Sequence, residues 1–224
     1  MKTPAGLFMK ILALEFSAEE RSVAIVENGC CLGRTSLVAG RATPAFALIE
    51  TVLAQARIER EEVGCIAIGL GPGSYTGIRT AISLAQGWQL GLGTKLLGIP
   101  STDCLAKGAC LAGIHGMVNV VIDAQRNEVY LARYEITKDG YTLKEPLKII
   151  APAEVAALAD NGEKIIGPES TKWFPNATVT SPQAEVLGIL AGETNKFAAG
   201  ETIEPIYLRE TSFVKAPPPR ILPT

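Results

Sequence analysis

Apolar positions along this chain fall into short blocks whose spacing switches between strand and helix periods. Residues 10–16 (KILALEF) and 22–27 (SVAIVE) are near-continuous aliphatic runs. A third run, 31–37, follows the tight-turn pair Asn28-Gly29, so the three read as a meander. Residues 44–58 change to a helical period, with Phe46, Ile49, Val52, Leu53 and Ala56 on one face. The unbroken apolar stretch 65–70 reads as a buried strand. A glycine turn then feeds a helix over 75–92, and a short strand covers 95–99. Ser101 is placed to cap a helix reaching about residue 112.

From Val118 the pattern restarts. Residues 118–123 form an apolar strand ending in an acid, as 11–15 do. Strands at 128–136 and 141–150 flank Asp139-Gly140, a helix over 152–159 has Pro in its first turn, a strand covers 164–167, and a helix covers 183–198. Two copies of a meander followed by helix-strand-helix predict a duplicated α/β fold, joined near 113–116. The expected divisions are an extension over 1–8, a first subdomain over 9–113, a second over 114–214 and a Pro-rich tail over 215–224. Met9 offers a second start besides Met1.

The helix over 75–92 is the most informative element, because its only charge is Arg79. A surface helix ordinarily has a polar face comparable to its apolar one. Gly77, Ala81 and Ala85 recur every four residues and line one strip, with Gly87 and Gly91 on a neighbouring strip. Each interior glycine costs about 1 kcal/mol against alanine, which the close approach of another backbone offsets. The expectation is an intermolecular helix contact made by Tyr75, Gly77, Ile78, Ala81, Ile82, Ala85, Trp88 and Gln89.

Charge and composition narrow the chemistry. A net charge of −2 over 224 residues supplies no global field for nucleic acid or an anionic membrane. No stretch is long and apolar enough for a membrane span, and MKTPAGLF lacks the core of a signal peptide. The five cysteines are odd in number and contain no CxxC, so a reducing cytoplasm without disulfides is expected. His115 is the sole histidine, which excludes a multi-histidine metal site and leaves Cys104 or Cys110 with His115 as the only thiol dyad. The turn GPGSYTGIR departs from the phosphate-loop pattern, having no Lys after its second glycine. Glu15 and Asp123 end the first strand of each half; they either hold a metal through water or bind nearby backbone N–H groups. No catalytic constellation is apparent.

Four segments carry a resemblance. KILALEFSAEERSVAIVENG, GLGPGSYTGIRTAISLAQGWQLGLG, VIDAQRNEVYLARY and PIYLRETSFV resemble the opening, central signature, second-half start and ending of the TsaB (YeaZ) family of tRNA threonylcarbamoyladenosine biosynthesis proteins. The resemblance spans residues 9–214. It implies a duplicated actin-like ATPase (ASKHA) fold, RNase H-like in each half, of two βββαβα subdomains. It further implies a non-catalytic homologue of the TsaD (Kae1-like) transferase, whose HxxxH metal motif has no histidine in the matching RATPAFALIE. Implied partners are TsaD in a heterodimer and the ATPase TsaE, with a homodimer as the alternative for the isolated chain. tRNA is reached through the complex, and ATP and a divalent metal belong to the partners. Glu15, Ser17 and Asp123 are the candidates for a residual nucleotide site. Glu15-Phe16 stands where the family has Asp-Thr, and Ala18 where it has Thr, which crowds a phosphate position. Trp88-Gln89 replaces a smaller pair on the partner face.

Overall fold

Both expected meanders are present in the computed structural model, which describes residues 9–38, 44–194 and 196–209. The first half contains β1 (Lys10–Glu15), β2 (Glu20–Glu27), β3 (Cys30–Val38), α1 (Ala45–Ala56), β4 (Val63–Gly69), α2 (Tyr75–Leu92), β5 (Lys95–Ile99) and α3 (Ser101–Leu111). The second contains β6 (Gly116–Asp123), β7 (Val129–Thr137), β8 (Gly140–Ile150), α4 (Pro152–Asp160), β9 (Lys164–Gly167), β10 (Thr178–Val179) and α5 (Ala184–Gly192). The extension over 1–8 and the tail over 215–224 lie outside the described residues.

Duplication is visible in the strand order. The first sheet runs β3-β2-β1-β4-β5 and the second β8-β7-β6-β9-β10. In each, the first strand pairs antiparallel with the second and parallel with the strand after the helix. This is a duplicated RNase H-like architecture. The central strands are apolar on both faces because both faces are covered. On β1, Leu12 and Leu14 face α1 and α2, while Ile11 and Ala13 face α5.

The helices, however, do not respect the expected division at residue 113. Leu105, Ala106 and Ala109 of α3 pack on the second sheet, whereas Ala184, Leu187 and Leu190 of α5 pack on the first. The layers therefore run α1 and α2, first sheet, α3 with α5, second sheet, α4. Ser22 Oγ on β2 accepts from Ala184 N at 2.9 Å, which seats the start of α5 on the other half.

Three local expectations are corrected. α5 ends at Gly192 rather than 198, because Ala198 N donates to Leu96 O at 2.9 Å and the chain turns onto β5. Phe46, assigned to the buried face of α1, is exposed, and Leu48 takes that face instead. Ser101 is the first helical residue of α3 and not its cap; its hydroxyl donates to Glu15 Oε2 at 3.0 Å. The short β10 adds a strand that the sequence pattern did not signal.

Candidate functional site

Two features stand out: the outer face of α2 and the cleft between the sheets beside its N-terminus. Ser74 caps α2, its Oγ accepting from Gly77 N at 3.3 Å, and Ser74 N donates to Ser17 O at 2.6 Å. A Cβ at Gly77 would lie 2.0 Å from Phe16 O, so glycine is required by the approach of the chain's own β1–β2 turn. Gly93, at φ 69°, ends the helix in the left-handed conformation.

That geometry reassigns the expected partner residues. Gly77, Ile78, Ala81, Ile82 and Ala85 are buried against the first sheet of their own subunit. Trp88 is half-buried on the same core, and its Nε1 has no acceptor. Gln89 is committed internally, accepting from Gly200 N at 2.9 Å and donating to Thr94 O at 3.3 Å. Of the expected interface only Tyr75 is exposed; its ring stacks on Tyr207 at 5.5 Å and carries the Arg79 guanidinium 4.9 Å from its centroid.

The open face of α2 lies opposite. It presents Thr76, Thr80, Ser83, Gly87 and Leu90, with Leu90 90% exposed. Thr80 Oγ1 donates to Thr76 O at 2.8 Å, so its hydroxyl is satisfied within the helix. A Cβ at Gly87 or Gly91 would meet nothing within 4 Å. This strip is small-sided and, beyond Arg79, uncharged. Sequence reasoning singled out Gly87 and Gly91, which lie on this open strip, but assigned the partner contact to residues that, Tyr75 apart, are largely covered within their own subunit.

The cleft, about 530 Å³, forms where the β1–β2 turn, the glycine turn and the β6–β7 turn converge. Ser17 and Asp123 line it; Glu15 does not. Glu15 is fully buried and turned inward, accepting from Ser17 N at 2.9 Å through Oε1 and from Ser101 through Oε2. Burial pushes its carboxyl above the ordinary range, with the serine hydrogen bonds opposing. A Cβ at Gly69 would lie 2.1 Å from Glu15 Oε2, so glycine there makes room for the longer acid. Phe16 is also buried in the first core. Neither residue crowds the cleft, contrary to the sequence expectation.

Asp123 has both oxygens engaged, with Gln125 N and Lys172 Nζ each at 2.7 Å. Gln125, Arg126 and Asn127 all adopt φ near +60°, at 61°, 57° and 58°. Three successive non-glycine residues in that region are strained, at about 1 kcal/mol or more each. Arg209 steadies the turn by donating to Ala124 O at 3.1 Å and Glu128 Oε2 at 2.5 Å. With Glu15 withdrawn and Asp123 paired, these residues are a poor match for a nucleotide-bound divalent metal. Among the described residues no group of three side chains is arranged to hold a metal. Cys104 and Cys110 donate to Gln183 O and Thr137 O, and burial raises the Cys104 thiol well above its usual value, so neither forms a dyad with the exposed loop residue His115.

Residues 44–203 match the family described as TsaD: tRNA N6-adenosine threonylcarbamoyltransferase. The chain is 28% identical to the tRNA threonylcarbamoyladenosine biosynthesis protein TsaB of Escherichia coli K12 over 221 residues, covering 90% of this chain and 95% of that one. It is 34% identical over 128 residues to the protein of the same name from Haemophilus influenzae, covering 56% and 53%. A crystal structure of an uncharacterized protein with similarity to peptidase YEAZ from Pseudomonas aeruginosa superposes with a TM-score of 0.78 at 29% identity, over 90% of this chain and 100% of that one. YeaZ from the same organism gives 0.77 at 27% identity, over 89% and 100%.

Proposed function

Because the chain belongs to the TsaD family, as a TsaB (YeaZ) member, we propose that it takes part in tRNA threonylcarbamoyladenosine biosynthesis as an accessory subunit. It docks on the transferase TsaD through the outer face of α2 and supports, with the ATPase TsaE, threonylcarbamoyl transfer to the adenosine beside the anticodon of ANN-decoding tRNAs. A second copy of the chain occupies the same face when TsaD is absent. ATP and metal chemistry reside in the partners.

The observation carrying this reading is the strip Thr76–Thr80–Ser83–Gly87–Leu90. Four of its five side chains are small and the Thr80 hydroxyl is already satisfied within the helix, so a second helix can approach closely at a modest cost in polar desolvation. The withdrawn Glu15 and the engaged Asp123 oxygens support assigning the chemistry elsewhere.

Ser83→Arg and Gly87→Arg test it, because both side chains project into open space and spare the fold. Each is expected to abolish co-purification with TsaD from the same source and to lower the modified tRNA fraction in cells depending on this chain. Unchanged complex formation by both variants refutes the docking face. Isothermal titration separates the rival reading of an independent ATP-using enzyme: saturable ATP binding with turnover by the isolated chain would establish it.

A further inference from the structure

Arg21 is a cleft residue without an ion-pair partner among the described residues. It stands near the start of β2 on the face that carries Val23 and Ile25, the face of the first sheet that α1 and α2 cover, with α1 lying on β2 itself. Only 9% of its surface is exposed, and its Nε is buried without an acceptor. Among the described residues the guanidinium makes no ion pair, its Nε is the nitrogen that is both buried and unpartnered, and burial lowers its pKa. A buried nitrogen of a cationic group left without an acceptor costs stability in the empty protein until an anion accepts from it.

The same cleft is lined by Gly73, Ser74 and Tyr75, the entry to the eighteen-residue α2. Ser74 N is held by Ser17 O, Gly77 N by Ser74 Oγ and Ile78 N by Ser74 O. The N–H groups of Tyr75 and Thr76 remain as open donors at the positive end of the helix dipole.

We propose that Arg21 and the N-terminus of α2 form a binding site for one oxyanion group, phosphate or carboxylate, of a small molecule. The carboxylates that share the cleft restrict the ligand. Asp123 and Glu169 come to the cleft from the second half, with Glu19 beside Arg21 on the β1–β2 turn, and among the described residues only Asp123 of these three has a cationic partner, Lys172. Several negative charges in a row would meet those carboxylates, so a triphosphate is disfavoured and a single anionic head is selected. Glu169 Oε2 is likewise buried without a donor, so the far end of the ligand offers a hydroxyl or an ammonium. The site belongs to this chain alone, and its failure leaves the subunit reading untouched.

The test is thermal melting and isothermal titration of the full chain in sodium phosphate, sodium acetate and sodium chloride at matched ionic strength, with ATP as a further arm. Phosphate or acetate is expected to raise Tm above the chloride control; a response to phosphate alone marks a phosphate ester, and to acetate alone a carboxylate. Arg21→Met is expected to weaken that binding by about tenfold or more, as loss of a charge-assisted hydrogen bond does. It should also melt above the wild type in chloride, because the unpaired charge is gone. Arg21→Lys keeps a reduced response. No anion-specific shift in the wild type overturns the site, and that comparison needs no variant. A response surviving in Arg21→Met, a lower Tm of that variant in chloride, or ATP binding tighter than phosphate also overturns it.

Discussion

The two faces of α2 make opposite demands on the same substitution, and glycine to alanine separates them. At Gly77 the new methyl would stand 2.0 Å from Phe16 O and 3.1 Å from Phe16 C, a backbone that side-chain rotation does not relieve. Overpacking of that kind costs about 3 kcal/mol at the upper end of its usual range. The helix regains about 1 kcal/mol from replacing glycine by alanine, leaving a net loss of about 2 kcal/mol. At Gly87 the methyl meets nothing within 4 Å, so only the gain of about 1 kcal/mol remains. For a chain of this length about 1 kcal/mol moves Tm by roughly 2–4 °C. Gly77→Ala should thus melt roughly 4–8 °C below the wild type and Gly87→Ala roughly 2–4 °C above it, by circular dichroism of the isolated chain at a dilution where it is monomeric. Both variants moving Tm in the same direction would mean that α2 does not press Gly77 onto the β1–β2 turn. A Gly87→Ala variant that melts higher alone yet binds TsaD less well places the cost at the partner contact.

Glu15→Gln is predicted to change the pH dependence of stability. Burial raises the Glu15 carboxyl in the folded state, so below the ordinary carboxylate range both states hold the proton and the group makes no difference. As pH rises, the unfolded chain ionises first and the folded state loses ground until its own raised value is passed. Glu15→Gln removes that loss, so its stability relative to the wild type should increase from pH 4 to pH 8 in urea titrations; an advantage that grows on acidification contradicts the assignment. Native thiol labelling should modify the exposed Cys30 first, while Cys65, whose pKa is pushed to about 12, and buried Cys104 react only on unfolding. Equal labelling rates at all three would refute the packing. Residues 9–113 expressed alone should aggregate or bind a hydrophobic dye, because α5 no longer covers Ile11, Ala13, Ala24 and Val26; a cooperative, dye-negative fragment would show α5 to be dispensable.

Element type was legible because each apolar run is long enough for its period to be read, and the repeated order exposed the duplication. The orientation of α2 was not. A strip of Gly77, Ala81 and Ala85 reports that something packs closely, but a carbonyl of the same chain requires a missing Cβ as strictly as a second helix does. Phe46 shows the same limit, since a helical period tolerates two neighbouring choices of buried face and tertiary contact selects between them. Ser101 reads as a cap from local sequence, yet its hydroxyl is taken by a carboxylate from β1, a partner no local window contains. Arg21 carries no sequence signal, because an arginine entering a strand is ordinarily solvated. What marks it is the missing partner, visible only in three dimensions.

The crossing of α3 and α5 bears on what the molecule is built to do. In a fold of two halves around a cleft, closure requires one half to move against the other as a rigid body. Here the layer between the sheets contains one helix from each half, and each lies against the sheet of the opposite half. Ser101 at the head of α3 is tied to Glu15 of β1, Ala184 at the head of α5 to Ser22 of β2, and Cys104 of α3 to Gln183 O just before α5. Lys107 of α3 pairs with Glu193, just past the end of α5, at 2.7 Å. A Cβ at Gly188 would lie 2.5 Å from Val26 Cγ2, so α5 has no clearance to slide along β2. Opening the cleft would disturb this middle layer, at the cost of buried apolar contacts on both sheets. An interlocked body of this kind holds α2 in a constant position, as the proposed docking role requires.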